Sequence, residues 1–293
     1  MAQFAAGTEP GDAGLTIKQA INEPTTIMKP IHRLISQALA GALMTACASA
    51  ADAPPALSAK DIAAKLSALQ QDGSSYVRLK LDVKPPSGGA KVTLQIQIKQ
   101  RRSPTSSEIV YQVLWPKERA GEAVLLRKTG NQPASGSAFT PPNSLRALSA
   151  SQLKEPMFGC DLSYADVIEN FFAWDNQALV GAEVVDRVNC QILESKPGKA
   201  QRSNFASVRT WVDLRRMVPL RVEKYASAGG PTRRIDTTRV VSDDLNRPIP
   251  ANLTIQNLQT GSTTELDGSK IKHAVTFTDR EFTPEGLRDA ISH

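Results

Sequence analysis

Histidine is scarce in this sequence, with three among 293 residues. Beyond the N-terminal region only His273 and His293 remain, and neither has a companion at the spacing of metal ligands. A Walker loop and a dinucleotide-binding glycine fingerprint are also lacking. Gly136-Ser137-Ala138 does not complete the G-x-S-x-G motif of a hydrolase. These absences argue against a histidine metal site and a catalytic triad, and nothing in the sequence indicates an enzyme or a cofactor.

The uncharged run near the N-terminus is too short for a membrane helix. It extends from Leu34 to Ala46, 13 residues, whereas a span needs about 20 apolar residues. Lys29 and Arg33 precede the run and Ala48-Ser49-Ala50 follows it, which is the pattern of a secretory signal peptide. We therefore predict export to the periplasm and cleavage after Ala50.

This signal peptide defines the predicted domain organisation. Residues 1–27 are polar and are predicted to lie upstream of the true start at Met28, residues 28–50 form the signal peptide, and residues 51–293 form one domain. Met44-Thr45-Ala46-Cys47 loosely resembles a lipoprotein box, so lipidation of Cys47 is the alternative.

Cysteine is equally scarce. Once Cys47 is removed, Cys160 and Cys190 remain in a compartment that permits disulfides. We predict that they are paired, which would contribute about 3 to 4 kcal/mol at best. Two buried thiols are the alternative.

Clusters of like charge are missing as well. The formal net charge is +6, which favours anionic lipid head groups or an acidic protein face as partners over nucleic acid. Because the charges are spread along the chain, a solvated basic surface is the simpler explanation.

Alternation of apolar and polar residues dominates the rest of the chain. Leu79 and Leu81 alternate with Arg78 and Lys80, so that one strand face is apolar and the other is wet. Short turns between such runs predict an antiparallel meander of about ten or eleven strands, an α+β fold that is mainly β. Strands are predicted at residues 77–83, 92–99, 109–115, 123–128, 138–140, 180–194, 205–213, 218–225, 233–241, 251–256 and 263–277.

Two or three helices accompany the strands. Ser58 and Asp61 form a predicted capping box before one amphipathic helix, and Ser163 and Asp166 form another before a helix that continues through Phe172. A meander of this length leaves apolar surface that the helices cannot cover unless the sheet curls around them as a half-barrel. The curled sheet encloses either an ordinary core or a cavity for lipid.

One segment resembles a known family. Residues 158–167, FGCDLSYADV, look like the GSDFSYEDL signature of LolA-like outer-membrane lipoprotein-sorting proteins, with departures at Cys160, Leu162, Ala165 and Val167. Further matching pieces follow at Trp211-Val212-Asp213, Pro219 to Glu223, Gly261 to Thr264 and Phe282-Thr283. The resemblance therefore covers most of the mature chain.

This resemblance implies a strongly curved antiparallel half-barrel with a helical lid, and a monomeric periplasmic carrier that binds lipid or lipoprotein acyl chains. The alternative is an adaptor module of the same fold that binds a membrane protein or exporter. The candidate cavity residues are Leu79, Leu81, Leu94, Ile96, Tyr111, Val113, Leu220 and Val222, and the candidate lid residues are Val167, Ile168, Phe171 and Phe172.

Overall fold

The computed structural model describes residues 57–86, 88–226 and 229–289. The predicted signal peptide, the residues before it, Cys47 and His293 lie outside these ranges, and their assignments stay predictions.

The described residues form one antiparallel sheet of thirteen strands. Strands that are consecutive in the chain are neighbours, except that β6 and β7 are the two edges and β1 pairs with β13 as well as with β2. The sheet is therefore an open, curved half-barrel, as predicted. Its strands are β1 Gly73–Lys84, β2 Val92–Arg102, β3 Ser106–Trp115, β4 Ala123–Thr129, β5 Ser135–Thr140, β6 Ser144–Leu148, β7 Asn176–Val185, β8 Val188–Lys196, β9 Ser207–Asp213, β10 Val218–Tyr225, β11 Arg233–Ser242, β12 Pro248–Asn257 and β13 Thr263–His273.

The strand count exceeds the predicted ten or eleven for a local reason. The run predicted at 180–194 is a hairpin of β7 and β8, and its turn residues Asp186 and Arg187 both have positive φ. Such a two-residue turn usually contains glycine or asparagine, and its sequence signal is therefore missing here. Strand β6 was not predicted either.

Three α-helices lie in the described residues, at Ala59–Gln70 (α1), Tyr164–Ile168 (α2) and Gly286–Asp289 (α3). The predicted capping boxes are confirmed: Ser58 Oγ accepts from the Asp61 amide at 3.2 Å, and Ser163 Oγ accepts from the Asp166 amide at 3.2 Å. No helix in these ranges has both the length and the apolar character needed to cross a membrane.

The second predicted helix is shorter than expected. It ends at Ile168, and Phe171–Ala173 form a separate 3-10 turn. The two residues between them are held by tertiary contacts, because Glu169 accepts from the Ser203 hydroxyl at 3.0 Å and the Asn170 amide donates to Ser67 at 2.9 Å. These contacts replace the continuation of the helix.

Residues 153–174, which we call the covering segment, lie over one face of the sheet, the inner face. Leu81, Leu94 and Ile96 are buried there, whereas Arg78, Lys80 and Gln95 on the same strands are exposed. The predicted alternation therefore has the right register. On the outer face, Phe282 and Leu287 from the C-terminal segment cover Val110, Leu125 and Phe139.

The structure does not show the predicted disulfide. Cys160 and Cys190 are both free and buried. Cys160 belongs to the cluster beneath the covering segment, whereas Cys190 belongs to a separate cluster with Trp211 and Val218. Each thiol instead donates to a backbone carbonyl two residues away, that of Leu162 or Val188, at 3.6 Å.

Candidate functional site

A cavity of about 450 Å³ lies between the inner face, α1 and the covering segment. This volume is within the usual range for small-molecule sites, about 300–1,000 Å³. Apolar side chains form much of its wall. They are Leu66, Leu69, Leu162, Val167, Phe171, Phe172, Met217, Pro219, Val222, Ile235, Pro248, Ile249, Pro250 and Ile271.

Strands β10 to β13 place the sheet side of this wall. Val222 and Ile235 face each other in the β10–β11 pairing, and Ile249 and Ile271 extend the same apolar surface across β12 and β13. Leu69, on the opposite side, is 41% exposed despite being in the apolar stripe of α1. The cavity thus accounts for apolar side chains that the core does not bury.

A buried ion cluster borders the cavity at the start of α2. Lys224 Nζ lies 2.8 Å from the Asp166 carboxylate, and Arg233 contacts the other carboxylate oxygen. Burial acts to raise the pKa of Asp166, but the charges of Lys224 and Arg233 outweigh it and hold that pKa below its usual value. The same lysine lies 5.0 Å above the Phe205 ring. One carboxylate therefore joins the covering segment to β10 and β11 through two cations.

A polar patch on β1, β2 and β3 interrupts the apolar wall. It consists of Ser75, Gln100, Arg102 and Tyr111. The guanidinium of Arg102 donates to Gln100 Oε1 at 3.2 Å and, more weakly, to the backbone carbonyl of Val167 at 3.4 Å. Arg102 therefore connects β2 to the covering segment.

A second charged network lies at the rim, where α1 ends. Arg247 contacts Asp72 at 2.5 Å and Asp243 at 2.9 Å, and His273 contacts Asp244. Asp243, Asp244 and His273 are close enough together to be considered as metal ligands. Arg247 Nη2, however, lies 2.9 Å from His273 Nε2 and already supplies positive charge there. The network is better described as ion pairing that ties α1 to β12 and β13.

The predicted cavity residues are divided between the cavity and the core. Tyr111 and Val222 line the cavity. Leu220 belongs to the cluster that contains Cys190 and Trp211, and it lies beside an irregularity in the β9–β10 pairing. The others pack beneath the covering segment: Leu81, Leu94, Ile96 and Val113 are buried, and Leu79 is partly buried.

The predicted lid residues are also divided. Val167, Phe171 and Phe172 line the cavity, whereas Ile168 is buried in the core beneath α2. Sequence reasoning missed the contributions of α1, β11, β12 and β13. The exposed Leu69 at the end of α1 and the Pro248-Ile249-Pro250 sequence could have indicated them, but only if the position of α1 over these strands had been known.

A family model described as "Uncharacterized protein" matches residues 106–289, which is more than half of the chain. The chain belongs to this family. None of the curated proteins matches the sequence.

Three solved structures have a fold similar to that of this chain. A DUF1329 family protein from Desulfovibrio piger has a TM-score of 0.72 at 19% identity, covering 78% of this chain and 97% of that one. An outer membrane lipoprotein-sorting protein domain from Vibrio parahaemolyticus has a TM-score of 0.69 at 17% identity, covering 78% of this chain and 97% of that one. A LolA superfamily protein from Nitrosomonas europaea has a TM-score of 0.61 at 21% identity, covering 78% of this chain and 98% of that one. At these identities the similarity shows that the chain has the LolA-like fold.

Proposed function

We propose that this protein is a periplasmic carrier that binds the acyl chains of lipids or lipoproteins in its cavity and serves outer-membrane sorting. The observation that carries the proposal is the apolar cavity of about 450 Å³ between the inner face and the covering segment. The LolA-like fold supports the same function, because one similar structure is named for lipoprotein sorting.

The way the cavity is covered fits a carrier that must also release its cargo. Each CH₂ group transferred out of water contributes about 0.8 kcal/mol, so a long chain in a sealed core would dissociate slowly. Here the cover is built from a five-residue helix and 3-10 turns. Its polar contacts with the sheet include the ion cluster of Asp166, the hydrogen bond between Asp161 and Thr264 of β13, and the long Arg102–Val167 hydrogen bond. Such polar contacts can be exchanged for water when the cover opens.

The test is to purify the exported protein, extract it with organic solvent and identify the extract by mass spectrometry. We expect acyl lipid from the parent and a reduced amount from Ile235→Trp, which fills the cavity. Thr238→Trp is the control, since Thr238 is on the same strand but exposed. An extract without lipid, or equal lipid in both variants, would refute the carrier function.

The second candidate is an adaptor that binds a membrane protein or exporter. It is favoured by the edge strand β7, where Leu179, Val180 and Val184 are 40%, 45% and 59% exposed. An unpaired edge with apolar side chains can accept a strand from another protein. Protein recovered without lipid, but captured by a membrane protein in a Val184-dependent manner, would favour this function over the carrier.

A further inference from the structure

One side of the cavity carries a positive charge without a matching carboxylate. Arg102 lies at the end of β2, is partly buried and lines the cavity. Within the described ranges, no Asp or Glu oxygen lies within 4.0 Å of its guanidinium. Burial lowers the pKa of Arg102, which reflects the cost of holding this charge away from water.

The carboxylates that line the cavity are engaged elsewhere. Asp166 is held between its two cations, and Asp72 pairs with Arg247 at 2.5 Å. Glu169 accepts a hydrogen bond from Ser203, and burial raises its pKa, which favours the neutral form. None of these groups offsets the charge of Arg102.

Hydrogen-bond donors are also left over in this patch. A guanidinium has five N–H donors, and Arg102 uses two of its nitrogens for bonds of 3.2 and 3.4 Å. The nearby Tyr111 hydroxyl has no hydrogen-bond partner among the described residues, and burial raises its pKa to about 12. Tyr111 thus stays protonated and can donate. Within the described residues, neither Nη1 of Arg102 nor the Tyr111 hydroxyl donates to a protein acceptor, so both can donate to a ligand.

We propose that the cavity selects acyl-chain ligands that carry an anionic head group, a carboxylate or a phosphate, which accepts from Arg102 and Tyr111. This inference rests on the proposed lipid binding and specifies its ligand class. A guanidinium suits both anions, because its fork of donors matches their oxygens. The apolar wall contributed by β10 to β13 then takes the chain. A neutral head group would leave the charge of Arg102 uncompensated.

The test compares ligands that share one chain and differ in head group. Oleate, oleoyl lysophosphatidylglycerol and monooleoylglycerol are titrated calorimetrically into the purified, delipidated full chain, below their aggregation concentrations. We expect the two anionic ligands to bind at least about tenfold more tightly than the neutral one, as a charge-assisted hydrogen bond would provide. A preference for only one of them would identify the head group as carboxylate or phosphate.

Variants then assign the preference to Arg102. Arg102→Gln should remove it by weakening anionic binding about tenfold while leaving monooleoylglycerol unaffected, and Arg102→Lys should retain part of it. Arg78→Gln is the matched control, because Arg78 is exposed on the neighbouring strand β1.

The outcomes separate this proposal from the carrier function. Equal affinity of the parent for all three ligands would overturn the anionic selection and leave the carrier function standing. A full preference in Arg102→Gln would overturn the role of Arg102. Failure of all three ligands to bind would overturn the carrier function and this inference with it. If Arg102→Gln does not fold, the parent's preference still tests the anionic selection, and the partial preference expected of Arg102→Lys tests the role of Arg102.

Discussion

The inner face of the sheet has two regions that differ in what lies opposite them. In the filled region, Leu94 and Ile96 of β2 pack directly against the covering segment and are 0% and 2% exposed. In the open region, Val222, Ile235 and Ile271 of β10, β11 and β13 line the cavity and are only partly buried. The alternation is the same in both regions. It therefore defines the face on which a side chain lies, but not whether a core or a cavity is opposite.

This comparison separates stability from binding. Side chains in the filled region have protein neighbours on all sides, so their loss leaves a void. Side chains in the open region border the cavity on one side, so their loss should affect the proposed ligand binding more than folding. Asp166 lies at the boundary, because its helix packs over the filled region while the residue itself also lines the cavity.

Among substitutions that should leave the protein folded, Asp166→Asn at this boundary is expected to have the largest effect. The change leaves Lys224 and Arg233 without their shared counter-charge, which should lower the free energy of unfolding by about 3–5 kcal/mol. Urea denaturation measures this loss of unfolding free energy. Asp267→Asn is the control, since its exposed pair with Arg239 should be worth at most about 1 kcal/mol. Similar costs for the two variants would show that the cluster does not hold the covering segment.

The next largest effect is expected from replacing an isoleucine by alanine, a change that can be made in both regions. Ile96→Ala should cost about 2–5 kcal/mol of unfolding free energy because it opens a void in the filled region. Ile271→Ala should cost clearly less, since the cavity already borders this side chain, and it should weaken acyl-ligand binding. Denaturation and ligand titration on both variants provide the comparison. Equal loss of stability would mean that the two regions are one continuous core.

A smaller effect, on ligand affinity, is expected from a substitution at Val167 of α2, and the adjacent Ile168 provides the comparison. Val167→Asp introduces a charge at the cavity wall and should reduce acyl-ligand affinity at least about tenfold, while the partly exposed position tolerates folding. Ile168→Asp puts the same charge into the filled region, where it should prevent folding. Ligand titration and circular dichroism distinguish them. Unchanged binding by Val167→Asp would exclude this part of α2 from the binding site.

The smallest effect concerns the outer face of the filled region, where Thr93 donates to Asp82 at 2.6 Å. This hydrogen bond, together with Lys80 and against the effect of burial, lowers the pKa of Asp82 to about 2. The folded pKa is below the unfolded value of about 3.9, so the stabilisation is complete above about pH 4 and is lost as the pH falls toward 2.

Thr93→Val should therefore cost about 1 kcal/mol at pH 7, and less as the pH falls below 4. Its acyl-ligand binding should remain that of the parent, because the outer face does not border the cavity. Thr129→Val, at the exposed end of β4, controls for the substitution itself. A pH-independent cost would show that the hydrogen bond does not act through the ionisation of Asp82.

Several features of the fold could be predicted because their signals are local. The capping boxes at Ser58 and Ser163 depend on residues three positions apart, and the register of β1 and β2 follows from their alternation. The β7–β8 turn was missed because Asp186-Arg187 adopts positive φ without the usual glycine. The disulfide was predicted from compartment and count alone, and these give no information about the separate clusters that contain the two thiols.

The candidate site was less predictable because its residues are distant in the sequence. By itself, the sequence determined that Leu79, Leu81, Leu94 and Ile96 share one face, since alternate side chains of a strand point the same way. Only the tertiary structure decided that these residues face the covering segment, whereas Ile235 and Ile271 face a cavity. It also brought Arg102 to that cavity without a carboxylate. The physical reason is that alternation is a property of one strand. Whether a void or an unpaired charge lies beside that strand depends on the side chains of all the elements that surround it.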